Sequence, residues 1–386
     1  MSEEIYLDNA ATTSLDPRVL AAMTECLERN PANPSSTHAP GRRARRAVEE
    51  ARERIAARLG VPAGTIVFTS GATESNNLAL QGTLLHHAER TPHLVTTRIE
   101  HKSVLDTARA LERRGVAVTF VECDADGVVA PERLAEAIRP ETALVSVMHV
   151  NNETGVVQDI PAIAALCRDR GVPLHVDAAQ SVGKLPLDLE GWGVALCSMT
   201  AHKLHGPKGV GALYVREGMR LAPLLHGGEQ ERGLRPGTLA THQIVGMGQA
   251  YELADPARDG PRLAALRDRL ERQLRAIPGA RLNGAPERRA PHIVNMSFSG
   301  VDGESLRFAV RDVAVSSGSA CMSDSPEASH VLGAMGLSDA LAGSALRLSV
   351  GRFTTEREVD EAARRVAEAV ERLRTLAAGA PAWCSG

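Results

Sequence analysis

Lys203 and Asp177 are the two residues whose types and settings could do chemistry together. Lys203 lies in the polar turn Thr200-Ala201-His202-Lys203-Leu204-His205-Gly206-Pro207, directly after the apolar run Val194–Met199. Asp177 closes another apolar run, in His175-Val176-Asp177-Ala178-Ala179-Gln180. A primary amine condenses with carbonyl compounds, and a carboxylate can hold a pyridine nitrogen protonated. Those two capacities are the minimum apparatus of a pyridoxal-phosphate (PLP) enzyme. Each residue alone has a plainer reading. A lysine after a strand is most often solvated, and an aspartate there is most often a turn residue or a helix cap.

Three further stretches could complete a site. Ser70-Gly71-Ala72-Thr73-Glu74-Ser75 reads as strand end, glycine turn and helix start. Backbone N–H groups at such a start bind phosphate, and Thr73 adds a hydroxyl, although an ordinary helix cap looks the same. His101 follows an apolar run ending near Thr97. Its ring could stack on a planar cofactor and move protons near neutral pH, or it could simply face solvent. Cys321 sits in Ser316–His330, a loop rich in small and polar residues, as either a nucleophile or an inert thiol. The stretch Gly206–Gly211 lacks the spacing of a phosphate-binding P-loop.

The elements that must position these residues show in the hydrophobic pattern. Strands are expected at 65–69, 93–97, 116–121, 143–150, 172–176, 194–199 and 210–215. Helices are expected near 73–89, 103–114, 131–138 and 160–170. Such alternation implies a mostly parallel sheet covered on both faces. The last two strands leave no room for a helix between them, so one should run antiparallel. Arg42–Arg58 reads as an amphipathic helix with a charged outer face. Ala254–Pro261 reads as a polar break and a domain boundary. Beyond it come a helix over Leu263–Ile277, strands near 292–297 and 345–350, and a last helix opened by the capping box Thr355-x-x-Glu358.

A chain of 386 residues exceeds one typical core, so two domains are expected. They are a large α/β domain over 15–255, with a mostly parallel seven-stranded sheet, and a smaller α+β domain from 1–14 and 256–386. Forty-four basic against 47 acidic residues leave a net charge of −3, which gives nucleic acid or an anionic membrane no electrostatic hold. No apolar run approaches a membrane span, and Met1-Ser2-Glu3-Glu4 lacks the features of a signal peptide. Six scattered cysteines without metal-ligand spacing suit a reduced, cytoplasmic protein.

Taken in order, these motifs resemble those of cysteine desulfurases of the IscS/NifS family, which are class V, fold-type I PLP enzymes. The likeness runs from Ile5-Tyr-Leu-Asp-Asn-Ala-Ala-Thr-Thr13 to Gly351-Arg-Phe-Thr-Thr355. It takes in Ser70–Ser75, Glu100–Asp106, Met148–Glu153, His175–Asp177, His202-Lys203 and Ser316–Cys321. The resemblance implies that Lys203 binds the cofactor covalently, Asp177 pairs with its pyridine nitrogen, and His101 stacks on its ring. Gln180 and Asn152 would lie near the phenolic oxygen. Thr73, Thr200 and His202 would bind the phosphate, with Thr238 reaching in from the other subunit of a homodimer.

The same resemblance implies that L-cysteine is the substrate, with Arg347 on its carboxylate and Asn33 assisting. A buried arginine in a strand without an anion would be costly, which adds weight to a ligand there. Lys203, with His101 assisting, would take the Cα proton. Cys321 would receive the sulfur as a persulfide, leaving alanine. The loop must both reach the substrate and carry sulfur away, so residues 320–329 are expected to be mobile or held open without substrate. A sulfur-acceptor protein is implied. Its pathway stays open among iron–sulfur assembly, tRNA thiolation and a specialised route, because Glu229-Gln230 stands where IscS proteins have Gly-His and the chain ends soon after its last helix. Competing readings are a selenocysteine lyase, another class V aminotransferase, and a non-catalytic scaffold that kept the fold.

Overall fold

The computed structural model describes residues 4–87, 91–316 and 329–379. Its strands in chain order are β1 (Ile5–Tyr6), β2 (Ile66–Thr69), β3 (His93–Thr97), β4 (Ala117–Val121), β5 (Thr142–Met148), β6 (Leu174–Asp177), β7 (Leu196–Thr200), β8 (Gly211–Val215), β9 (Ala280–Leu282), β10 (Ile293–Phe298), β11 (Val313–Ala314) and β12 (Leu346–Ser349).

The seven strands β2 to β8 form one sheet in the order β2-β8-β7-β6-β5-β3-β4. Only β8 is reversed, pairing antiparallel with β2 and β7, while the other neighbours run parallel. The seven apolar runs are these seven strands. Both faces are covered, and successive residues serve opposite cores. Val67, Leu94 and Leu144 pack with helices Ala72–His86 and Lys102–Glu112. Phe68, Val95 and Val145 pack with helices Ala39–Leu59, Ile160–Asp169 and Thr241–Leu253. β5 stops at Met148, short of the expected 150, because the chain turns there into the loop His149–Glu153.

A separate core lies between helices Pro256–Arg275 and Glu356–Gly379 and the sheet β12-β10-β9. Ile5 and Leu7 of the chain's beginning join it, and β1 pairs in parallel with β11. The capping box forms as expected: Glu358 accepts from the Thr355 N–H, and Thr355 Oγ1 accepts from the Glu358 N–H. No helix among the described residues is long and apolar enough to cross a membrane.

One sequence expectation needs correction, and one helix was not foreseen. The polar break at Ala254–Pro261 is only two residues long, because a helix begins at Pro256. Asp255 caps it by accepting from the Ala257 and Arg258 N–H groups, and a proline at the first helical position has no N–H to lose. Pro261 sits inside the helix, which continues past it. Helix Thr241–Leu253 had no apolar stripe to announce it. Its Gly246 and Gly248 allow close approach instead, since an added Cβ would stand 2.7 Å from Met23 and 2.8 Å from Ala51.

β2 is an edge strand, and side chains close part of its outer edge. Arg52 donates to the Ile66 carbonyl, and the Phe68 N–H donates to Glu231. Arg52 and Glu231 also form a two-pronged buried pair at 2.9 and 2.7 Å. Glu231 and Arg232 adopt left-handed backbone angles, with φ of 48° and 59°, and this pair holds them in place. Glu231→Ala should therefore leave Arg52 buried with Glu49 as its one carboxylate partner beside the Ile66 carbonyl, and the Phe68 N–H without its acceptor. The expected loss is about 3 kcal/mol, read as a lowered urea midpoint. An unchanged midpoint would show that the edge is held by other contacts.

Candidate active site

The carboxyl ends of β2, β3, β5, β6 and β7 open onto one cavity of ≈ 510 Å³, where ligands collect in open parallel sheets. It is lined by Ser70–Glu74, His101, Asn152, Asp177, Gln180, Thr200, His202 and Lys203 from the large sheet, and by Arg347 from β12. The start of β8 packs directly behind the Gly71 turn of that wall. A Cβ on Gly211 would fall 2.6 Å from both the Gly71 Cα and the Met199 carbonyl, so only glycine fits.

The turn bearing Lys203 is clamped by the chain's beginning. Thr13 donates to the His202 carbonyl from its N–H at 2.8 Å and from its hydroxyl at 2.7 Å. The same hydroxyl accepts from the His205 N–H at 2.7 Å. The Asp16 N–H bonds to the His205 carbonyl. These bonds hold His205 at φ 59°, a strained value for a residue with a side chain.

Asp177 is fixed on both oxygens. Oδ1 accepts from the Ala179 N–H at 2.9 Å, and Oδ2 accepts from Asn76 Nδ2 at 2.8 Å. Gln180 is likewise held, donating to the Ala10 carbonyl at 2.7 Å and meeting His292 at 3.2 Å. Behind Asp177, the buried His175 ring bridges Ser146 and Ser198. Burial drives His175 towards neutrality, down to about 4.

His101 caps helix Lys102–Glu112 through its own ring, Nδ1 accepting from the Ser103 N–H. Burial first, and then Lys203, push it down to about 4. His202 is pushed down to about 4 by the same two causes, and its Nδ1 lies 3.2 Å from Thr12 Oγ1. Beneath them the buried Glu100 carboxyl is pushed up to about 8 by burial.

Arg347 is almost wholly buried yet borders the cavity. It donates to the Asn152 carbonyl and to Asp8, each at 2.8 Å. The cost argument made from sequence therefore needs correction: Asp8 supplies an anion from within the chain, and burial alone does not call for a ligand. The Asn152 side-chain oxygen is buried on the cavity wall without a hydrogen-bond partner among the described residues.

The remaining expected residues divide. Thr73 lies on the wall in the first turn of helix Ala72–His86. Thr200 lines the cavity at the end of β7. Thr238 is exposed and does not line this chain's own cavity. Asn33 stands apart, exposed, its Oδ1 accepting from the Ser35 N–H in its own turn. Cys321 and the expectation of a mobile 320–329 stretch fall on 317–328, outside the described residues, apart from Ser329. Sequence reasoning missed Asn76, Ser103, Glu153 and His330. Glu153 bonds Ser329, and His330 bonds the Glu100 carbonyl, both at the cavity wall.

Comparison with known proteins shows the family of the chain. Residues 5–362 match the family model for class-V aminotransferases. The chain is 53% identical to a cysteine desulfurase IscS of Stutzerimonas stutzeri, over 99% of this chain and 96% of that relative. A solved NifS-like protein superposes with a TM-score of 0.90 at 37% identity, covering 96% of this chain and all of its own. A structure described as SspA in complex with cysteine gives a TM-score of 0.83 at 38% identity, covering 91% of this chain and all of its own.

The buried imidazoles make stability depend on pH. His149, His175 and His205 are each pushed by burial to about 4, below the ~6.5 of an unfolded chain. Between those values the unfolded chain binds more protons, so their contribution is complete above about 6.5 and is lost as pH falls towards 4. Glu100, raised to about 8, works in the opposite sense over that range and offsets one histidine. Lowering pH from about 6.5 to 5 should cost roughly 2 kcal/mol or more, measured as a falling urea midpoint. A flat profile would mean that these rings accept protons in the folded chain.

Proposed function

We propose, from the premise that this chain belongs to the class-V aminotransferase family and to its cysteine desulfurases, that it uses bound PLP to take sulfur from L-cysteine. The products are L-alanine and a persulfide on Cys321, which passes its sulfur to an acceptor protein. The observation that carries this reading is the convergence of Lys203, Asp177 and His101 on one cavity at the carboxyl ends of the sheet.

The residues present fit the cofactor. An amine, a fixed carboxylate, a flat ring and a helix start with nearby hydroxyls form the donor set for a phosphorylated pyridine aldehyde. The Asn152 side-chain oxygen, without a partner among the described residues, adds an acceptor for a ligand to satisfy. Lys203 would attach the cofactor, Asp177 would hold its ring nitrogen protonated, and His101 would cover its face. Gln180 would approach the phenolic oxygen with Asn152, while Thr73, Thr200 and His202 would take the phosphate. Bound there, PLP supplies an electron sink for charge left at the substrate Cα.

Lys203, once released, takes the Cα proton. Arg347 meets the substrate carboxylate. The Cys321 thiolate attacks the substrate sulfur; the C–S bond breaks and its electron pair stays with carbon. Sulfur remains on Cys321 as the persulfide, and the carbon takes up a proton to leave as alanine. Cys321 is five residues from Ser316, which pairs with Arg347 backbone to backbone at the cavity. That span reaches at most ~17 Å. We further propose a cytoplasmic homodimer in which Thr238 serves the neighbour's phosphate site, with sulfur going to iron–sulfur assembly or another transfer route such as tRNA thiolation.

Lys203→Ala tests the centre of this reading. Borohydride should no longer fix cofactor to the chain, and turnover should stop. Cys321→Ser should still bind PLP and L-cysteine yet release alanine ~10³-fold more slowly or worse. Added sulfur found by mass spectrometry on Cys384, with Cys321→Ser still active, would overturn the assignment of the acceptor thiol.

Arg347→Leu should raise the KM for L-cysteine roughly 30-fold or more while cofactor absorption persists. Loss of the cofactor instead would place Arg347 in the phosphate or dimer network.

A further inference from the structure

His101 is constrained in where it can carry its proton. Its Nδ1 accepts from the Ser103 N–H at 3.1 Å, and Ser103 Oγ lies 2.8 Å from the same nitrogen. Asn76 Nδ2 has two hydrogens. One goes to Asp177 Oδ2 and the other to Ser103 Oγ, both at 2.8 Å. Reversing the Asn76 amide would set its carbonyl oxygen against the Asp177 carboxylate, so electrostatics fix its direction. Ser103 Oγ accepts from Asn76, which directs its single hydrogen to His101. Two donors thus converge on Nδ1. That nitrogen keeps its lone pair, and the ring hydrogen sits on Nε2.

We infer that Asn76 and Ser103 are positioning residues: a hydrogen-bond line from Asp177 through both holds His101 as the neutral Nε2–H tautomer, so its ring acts towards the cofactor and substrate as a donor and not as a base. The reading from sequence, in which His101 assists in taking the Cα proton, then gives way to one in which Lys203 takes it alone. A second ring proton would have to point from Nδ1 into the Ser103 N–H. The charges facing His101 are mixed. Lys203 and His330 oppose protonation, while Asp177 and Asp106 favour it. Burial opposes it as well, in the same sense as the two converging donors.

The same line couples two parts of the site. Asn76 comes from helix Ala72–His86, Ser103 from helix Lys102–Glu112 and Asp177 from β6. The ring that covers one face of the cavity and the carboxylate at its end are therefore set by one amide. This inference rests on the PLP reading only for what the Nε2 hydrogen meets; the tautomer belongs to the chain itself.

The test is long-range 1H–15N correlation on 15N-histidine-labelled, PLP-loaded protein, with His101→Gln to assign the ring. The expected result is a pyridine-like Nδ1 and a pyrrole-like Nε2 across neutral pH. Ser103→Ala keeps the backbone donor but loses the hydroxyl, so the His101 titration should move up by roughly half a unit to one unit. Asn76→Ala should move it the same way. Ser103→Thr, which keeps the hydroxyl, should restore the wild-type titration. A hydrogen on Nδ1 in the wild-type protein overturns the inference without recourse to any variant. A Ser103→Ala titration identical to wild type overturns it as well. Failure of the PLP reading would appear instead as absent cofactor absorption.

Discussion

The hydroxyl of Thr13 holds together the parts on which the chemistry depends. It donates to the carbonyl of His202 and accepts from the N–H of His205, so it spans the turn that presents Lys203. Nearby residues of the same segment grip the other core. Asp8 pairs with Arg347, Asn9 donates to the Ser349 carbonyl, and the Ala10 N–H donates to the Ser349 hydroxyl. Amine and guanidinium come from different cores, and one short strap bonds to both. Apolar packing is non-directional and would leave their relative placement loose. Hydrogen bonds to backbone atoms fix it. At the strap's end, buried Asp16 meets Arg18 and Arg352, and the Arg18 guanidinium holds its carboxyl well below the usual range.

Around this frame burial keeps several imidazoles neutral, and two of them, His101 and His202, stand on the cavity wall. His101, His149, His175, His202 and His205 are each driven down to about 4, and burial drives His292 well below the usual imidazole range. Neutral rings can donate and accept without adding charge, so fixed positive charge at the wall is left to lysine and arginine. Lys184 follows the same rule. Its ammonium would be buried with no hydrogen-bond partner among the described residues, and burial, then Lys203, press it down to about 7. Glu100 mirrors it with the opposite sign, a carboxyl that burial favours in its neutral form beside Asp177.

The parallel sheet was legible because its strands are apolar runs, buried on both faces except at the edge strand β4, and the reversal of β8 followed from a loop too short for a crossover. Lys203, Asp177, His101 and Thr73 were legible as residues at strand ends, where such sheets gather ligands. β1 and β11, two residues each, and β9, three residues, are too short to show a period. The Asn76–Ser103 line escaped because its members meet only when two helices and a strand converge. A usable signal existed: Asn76 lies one helical turn after Thr73, at the end of the helix nearest the cavity. Asn33 matches a motif too, and in this chain its side chain caps its own turn.

Arg347 shows what burial can and cannot reveal. From sequence, a charged residue within an apolar strand demands a counter-charge, and that demand is correct: the guanidinium is paired. The partner is Asp8, from a segment more than three hundred residues away in the chain. Desolvation fixes the sign and the need, because an isolated buried ion is expensive whatever surrounds it. It does not fix whether the partner is ligand or protein. Position decides that. Arg347 borders the cavity while Arg52, equally well paired with Glu231, stabilises a strand edge. The two guanidiniums satisfy the same electrostatic rule, and only the first is placed where a substrate carboxylate could reach it.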